Sequence, residues 1–156
     1  MFAHQGAVPV AVPKPASAKA AEECAQLTKD APATVGGQKR RSTSPSSPLT
    51  AAWGDPAITL RCGVPEPGIL VPGNPGYDPE ADEAYLNGVA WLIQQTASGY
   101  TFTAVQRAVF VEVDVPNAYT PQTNALIDLG SDLLTAIPRN DGKPGPDDLP
   151  LASPSP

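Results

Sequence analysis

Glu112 and Asp114 stand two residues apart in the run Phe110-Val111-Glu112-Val113-Asp114-Val115, where alternation places both carboxylates on one face of a strand. A pair held that close suits general acid and base work, since neighbouring carboxyls pull each other's proton affinities apart. Exposed strand carboxylates show the same spacing, so the pattern by itself reads first as a wet, acidic face. Arg61 and Arg107 each flank an apolar strand. They either converge as an anion clamp or pair with Glu112 and Asp114, and ion pairing is the simpler reading. Trp53 begins a Trp-Gly-Asp-Pro turn, where an aromatic side chain lines a pocket or, more simply, anchors the core. Trp53, Arg61, Arg107 and Glu112 are therefore the candidate binding residues, and no residue is assigned a catalytic role.

Other chemistries find little support. The single histidine, His4, lies in the Pro-rich N-terminal stretch, so no Ser/His/Asp set can be assembled. No G-x-S-x-G, P-loop or G-x-G-x-x-G sequence occurs. Asp78, Glu80, Asp82 and Glu83 lack the ordered oxygen spacing and turn glycine of a calcium loop, and read as a solvated acidic loop. No cofactor or metal is expected. Cys24 and Cys62, the two cysteines, are not a C-x-x-C pair, and with one histidine they do not make a four-ligand zinc site. A disulfide, two buried thiols or a lone reactive thiol remain. Both lie on apolar faces, which favours the disulfide. Such a bond would stabilise the fold by roughly 3–4 kcal/mol in the chain-entropy treatment, and it persists only outside a reducing cytoplasm.

The elements that position these residues can be read from periodicity and turn chemistry. Residues 18–30 form a helix with Ala20, Cys24 and Leu27 on one face, ended by Pro32. Residues 35–41 read as a weak edge strand and 42–48, Ser/Pro-rich, as a loop. In residues 58–62, Ile58, Leu60 and Cys62 share a face opposite Thr59 and Arg61. Asn87-Gly88 joins residues 85–86 to 89–93 as a hairpin with a type I′ turn. Residues 101–105 and 108–115 give two more strands, with Val109, Val111, Val113 and Val115 facing the core. Thr120-Pro121 reads as an N-cap and first helical residue. The helix it opens carries Leu126, Leu129, Leu133 and Ile137 inward and Asp128 and Asp132 outward, and stops at Pro138. The expected fold is α+β: a two-layer sandwich with a mostly antiparallel sheet of four to five strands and both helices on one face.

Composition sets the boundaries. The chain has 156 residues, with 20 prolines and 13 glycines concentrated toward the ends and in residues 65–83. Residues 1–19 and 139–156 are expected to be disordered tails around a single domain at 20–138, with 65–83 as a lid or unstructured insert. Residues 1–62 carry seven Lys/Arg against four Asp/Glu, net +3, and the remainder is net −9. An acidic chain without a basic stripe is a poor nucleic-acid binder. Lys39-Arg40-Arg41 reads as a solvated strand edge or turn. No apolar run is long enough to span a membrane. Residues 1–13 make a poor signal peptide, although Ala16-Ser17-Ala18 has a small-x-small pattern, so the chain is either cytoplasmic with free thiols or has an export segment upstream, and the second is the expectation.

Cys24, Val35-Gly-Gly-Gln38 with Arg40-Arg41, Trp53-Gly-Asp-Pro56, Leu60-Arg-Cys-Gly-Val64, Asn87-Gly-Val-x-Trp91, Arg107 and Val115-Pro116 occur in that order. Over roughly residues 22–138 this pattern resembles a family of actinobacterial exported or membrane-anchored proteins of unknown function. The resemblance implies a cell-envelope or extracellular location, a membrane segment or signal, and pairing of Cys24 with Cys62. It implies no activity. Two functions are then weighed. One is a non-catalytic binding or structural module whose partner is an envelope protein or cell-wall component. The alternative is a small enzyme or small-ligand-binding protein using Glu112 and Asp114 with Arg61 and Arg107. A concave pocket joining Trp53, both arginines and the carboxylates would favour the second, and an open face of mutually paired side chains the first.

Overall fold

A computed structural model describes residues 6–140. Its strands and helices are, in chain order, β1 (Val8–Pro9), α1 (Ala18–Asp30), β2 (Thr34–Val35), β3 (Gln38–Arg41), β4 (Thr43–Ser44), β5 (Thr50–Trp53), β6 (Ile58–Val64), β7 (Glu83–Leu86), β8 (Val89–Gln95), β9 (Gly99–Val105), β10 (Phe110–Pro116) and α2 (Thr123–Ala136). Eight strands form one sheet in the order β2-β3-β5-β6-β10-β9-β8-β7, antiparallel at every pairing. A separate parallel pair joins β1 to β4. The class is the expected α+β with a largely antiparallel sheet, but eight strands replace four to five. The expected weak strand at 35–41 is in fact a hairpin, β2 and β3, turned by Gly36 and Gly37 with φ of 58° and 79°. The strand β5, Thr-Ala-Ala-Trp, is short and alanine-rich, so neither propensity nor alternation marks it.

Both helices cover one face of this sheet. Ser17 caps α1 by accepting from the Ala20 N–H at 3.0 Å, and Ala20, Cys24 and Leu27 turn inward as their spacing requires. They meet Leu126, Leu129 and Leu133 of α2 and the inward residues Trp53, Ile58, Leu60, Trp91, Phe102, Val111 and Val113 in a single core. Cys24 and Cys62, both fully buried, form a disulfide with Cα atoms 5.5 Å apart, tying α1 to the centre of the sheet. Asn87 and Gly88, at φ of 51° and 86°, make the expected tight turn between β7 and β8. Helix α2 opens at Thr123 behind Gln122, so Thr120-Pro121 is not its cap and first residue. Those two lie in the preceding turn, where the Pro121 carbonyl accepts from the Asn124 N–H.

The opposite face carries two partial covers. The N-terminal segment was expected to be a solvated tail, yet Val8, Val10 and Pro13 are buried. Val8 and Val10 pack on Ala52, with Ala57 at the margin. The segment is extended as its prolines require, and its backbone bonds to Ser42 and Ser44 supply what proline cannot. This also recruits Thr43–Ser44 out of the expected loop. Residues 65–83 form an ordered cover, stitched by turn bonds such as Asp78 N–H to Ile69 O at 2.9 Å. Ile69, Leu70 and Ala81, with Phe110 of β10, pack there on Ala90, Leu92 and Val105. Of the expected C-terminal tail, Arg139 bridges back to Arg107, and 141–156 lie outside the described residues.

Candidate functional site

Between the two covers lies a polar window on the sheet. Residues of the strand face opposite the valines fill it, so period-two alternation in β6, β8, β9 and β10 decides its content. Glu112 sits opposite Arg61 of β6 and Thr103 of β9, while Asp114 sits opposite Thr59 and Thr101. Arg61 Nη1 donates to both Glu112 oxygens, at 3.3 and 3.4 Å, and Nε donates to the Ala11 carbonyl of the N-terminal segment at 2.9 Å. Thr101 Oγ1 donates to Asp114 at 2.6 Å. A cleft of about 370 Å³ opens over this window, lined by Arg61, Gln94, Thr103 and Glu112 with residues 64–68, Glu66 among them.

The carboxylates were expected on a wet face, and they are half-buried instead. The side chains of Arg61 and Glu112 are 27 % and 19 % exposed. Burial, and then the hydrogen bond and charge of Asp114, push the Glu112 carboxyl up to about 7, and Arg61 offsets only part of that rise. Glu112 therefore takes up and gives off a proton near neutrality, the one property here that suits acid–base chemistry.

The other candidate residues are not brought to this window. Trp53, fully buried, faces the helices. Its Nε1 donates to the Pro32 carbonyl at 2.9 Å, and the Arg40 guanidinium covers its ring at 5.6 Å. It is a core anchor and lines no surface. Arg107, also buried, donates Nε and Nη2 to the Ile137 carbonyl at 3.1 and 2.9 Å and so closes the C-terminal end of α2. Its expected pairing with Glu112 or Asp114 does not form, because the β9–β10 turn carries it past the end of the ladder toward the helix. Cys24 and Cys62 are spent on the disulfide.

Sequence reasoning passed over Ala11, Thr103, Gln94 and Glu66, which complete the window. Gln94 and Thr103 alternate in phase with their strands, a signal that was available. The carbonyl of Ala11 and the side chain of Glu66 arrive with covers distant in sequence, and no local pattern announces them. Among the described residues, no group of three or more His, Cys, Asp or Glu is arranged to hold a metal ion. No helix among them is long and apolar enough to cross a membrane.

A family model described as "Protein of unknown function (DUF3515)" matches residues 1–141, and the chain belongs to that family. Comparison with curated proteins and with solved structures gives no match.

Proposed function

We propose that this member of the family is an exported module of the cell envelope that binds a partner through the window around Arg61 and Glu112. The observation carrying this reading is that the reactive-looking side chains are paired with one another on an open face. Arg61 is spent on Glu112 and Ala11, and Asp114 on Thr101. Trp53 and Arg107 are withdrawn into the core. Such a surface offers hydrogen-bonding groups to another macromolecule without an enclosed volume for a reaction. The buried disulfide supports an oxidising compartment, since cytosolic reductants keep structural thiols reduced.

Two measurements test the reading. Cells are quenched in acid, thiols are alkylated under denaturing conditions and the chain is weighed, because both cysteines are buried in the native fold; two alkylated cysteines in protein taken from its native compartment overturn export. A photo-crosslinking side chain is then placed at Gln94, in the window, or at Ile127, on the outer surface of α2. A product formed from Gln94, absent from Ile127 and lost on Arg61→Gln is expected. Equal products from both positions, or none from Gln94, refute it.

One observation favours a second reading, a small-ligand or proton-transfer site. Glu112 titrates near 7 inside a cleft of about 370 Å³. A soluble ligand that saturates the cleft and shifts the Glu112 titration, with no crosslinked partner, would select it.

A further inference from the structure

We propose that the free edge of β7 is a docking site for an extended, basic segment of a partner protein, which adds there as a further strand of the sheet. This goes beyond the partner reading, which rests on the window around Arg61 and Glu112 and involves no sheet edge. The sheet ends at β7, whose strand neighbour is β8. The Asn87-Gly88 turn fixes which backbone groups that neighbour uses. In a two-residue hairpin the residues flanking the turn, Leu86 and Val89, exchange hydrogen bonds, and every second pair beyond them does the same. Ala84 and Trp91 make the next such pair, and the Ile93 N–H bonded to the Asp82 carbonyl at 2.9 Å marks the one after. Glu83 and Tyr85 fall between. Their N–H and C=O groups point away from β8, and among the described residues no backbone group bonds to them.

The edge is short, and its charge selects the occupant. Sheets protect such edges with prolines, lysines or bulges. Residues 83–86 have none of the three and run in unbroken register with β8. What stands here is negative charge. Glu83 lies on the edge, and Asp78, Glu80 and Asp82 lead into it, all exposed and none in an ion pair among the described residues. A second copy of the chain, itself net −6, brings the same charges to the edge and is repelled. A segment carrying Lys or Arg is attracted. Side-chain direction sets the rest of the pattern. Glu83 and Tyr85 lie opposite Leu92 and Ala90, on the face away from the helices, while Ala84 and Leu86 alternate to the helix side. An added strand therefore sets basic residues beside Glu83 and small apolar residues beside Ala84 and Leu86, alternating along its length. Tyr85 is 48 % exposed on the edge itself, and Leu134, 37 % exposed, touches the β7–β8 turn at Gly88. Both offer apolar surface for the incoming segment to cover.

The test uses the full chain with its disulfide intact and two blocked heptapeptides. One alternates lysine with valine and threonine, and the other carries glutamate at each lysine position. In the free chain the Glu83 and Tyr85 amides are expected to exchange with deuterium oxide faster than those of Ala84 and Leu86. The lysine peptide is expected to shift the amide resonances of residues 82–87 saturably and to slow exchange at Tyr85. The glutamate peptide should bind at least about tenfold more weakly. Tyr85→Pro removes the outward N–H without breaking a ladder bond. It is expected to weaken binding at least about tenfold, against no more than about threefold for Tyr85→Thr, which keeps the donor. Glu83→Lys is expected to reverse the preference between the two peptides. Near-ultraviolet circular dichroism confirms that each variant is folded. Protection of the Tyr85 amide in the free monomer would mean that the chain's own residues already pair the edge. A dimer in sedimentation velocity, lost in Tyr85→Pro, would give the edge to a second copy. Either result overturns the proposal, as does absence of saturable binding by the lysine peptide, an unchanged peptide preference in Glu83→Lys, or equal losses in the two Tyr85 variants.

Discussion

Removing the disulfide by the double substitution Cys24→Ala/Cys62→Ala gives a loss that follows from the length of chain it closes. The two cysteines are 38 residues apart. Cross-linking a loop of that length removes about 13 cal/mol/K of entropy from the unfolded ensemble, or about 4 kcal/mol at 25 °C. Domains of this size are stable by roughly 5–15 kcal/mol, so the loss is a large share of the whole. Unfolding entropy near 2.1 cal/mol/K per residue then places the drop in melting temperature at roughly 14 °C for the described part of the chain. Alanine is chosen over serine because both positions are fully buried and a hydroxyl there would be left without a partner. Urea and thermal unfolding of the oxidised chain and the double variant, followed by far-ultraviolet circular dichroism, measure the difference. Because the effect lies in the unfolded state, the urea m-value should also rise, as an uncrosslinked chain exposes more surface. A loss under about 1 kcal/mol with an unchanged m-value would refute the argument, since it would mean that the bond does not restrict the unfolded chain.

Three further outcomes follow from named contacts. Glu112 has its carboxyl raised from 4.5 to about 7, so the folded chain holds an extra proton between those values and stability falls as pH rises through that window, then levels off. After screening across the open cleft the span is of order 1 kcal/mol; Glu112→Gln should flatten it, and a carboxyl-carbon NMR titration of the native chain with a midpoint below about 5 would sink the assignment. Arg107→Gln should cost about 2 kcal/mol by uncapping the Ile137 carbonyl, while Arg61→Gln should cost less than about 1 kcal/mol because its pair is partly exposed; urea midpoints that place Arg61→Gln as the more damaging change would reverse the two roles. Gly63→Ala should cost about 1–3 kcal/mol, because Gly63 holds φ of +99° and a methyl group there would meet Pro15 Cγ at 3.2 Å; an unchanged melting temperature would refute the backbone argument, since the strain remains even if the N-terminal segment moves.

What the sequence made legible was local. The valine run of β10, the Asn-Gly turn, the helix faces at Cys24 and at Leu126–Leu133, and the position of Cys62 each follow from period or turn chemistry within a dozen residues, and the structure realises them. What it hid depends on pairing between distant segments. β5 is recognisable only once β3 and β6 flank it, since Thr-Ala-Ala carries almost no strand preference. The N-terminal segment reads as tail by its prolines, and it is fixed by partners 34 or more residues away: Ser42, Ser44, Arg41 and Arg61. Arg61 and Arg107 looked equivalent as lone charges beside apolar strands. Alternation points Arg61 at the window, whereas Arg107 stands in a turn, where alternation gives no direction.

The same distance effect sets the behaviour of Glu112. On an isolated strand its carboxylate would face water and ionise as an ordinary glutamate. The fold changes this, because residues 64–68 close over the window above β10 and thin the solvent there. Asp114, two residues along the same strand, adds charge repulsion that burial then amplifies. Arg61 lies opposite Glu112 and offsets part of the rise. It is shared with the Ala11 carbonyl and reaches Glu112 only at 3.3 and 3.4 Å. The N-terminal segment touches the window at one point. It fixes Arg61 through Nε at the Ala11 carbonyl, leaving Nη1 to donate to both Glu112 oxygens. Whatever binds the window meets a carboxyl tuned by its burial beside residues 64–68 as well as by Asp114 on its own strand.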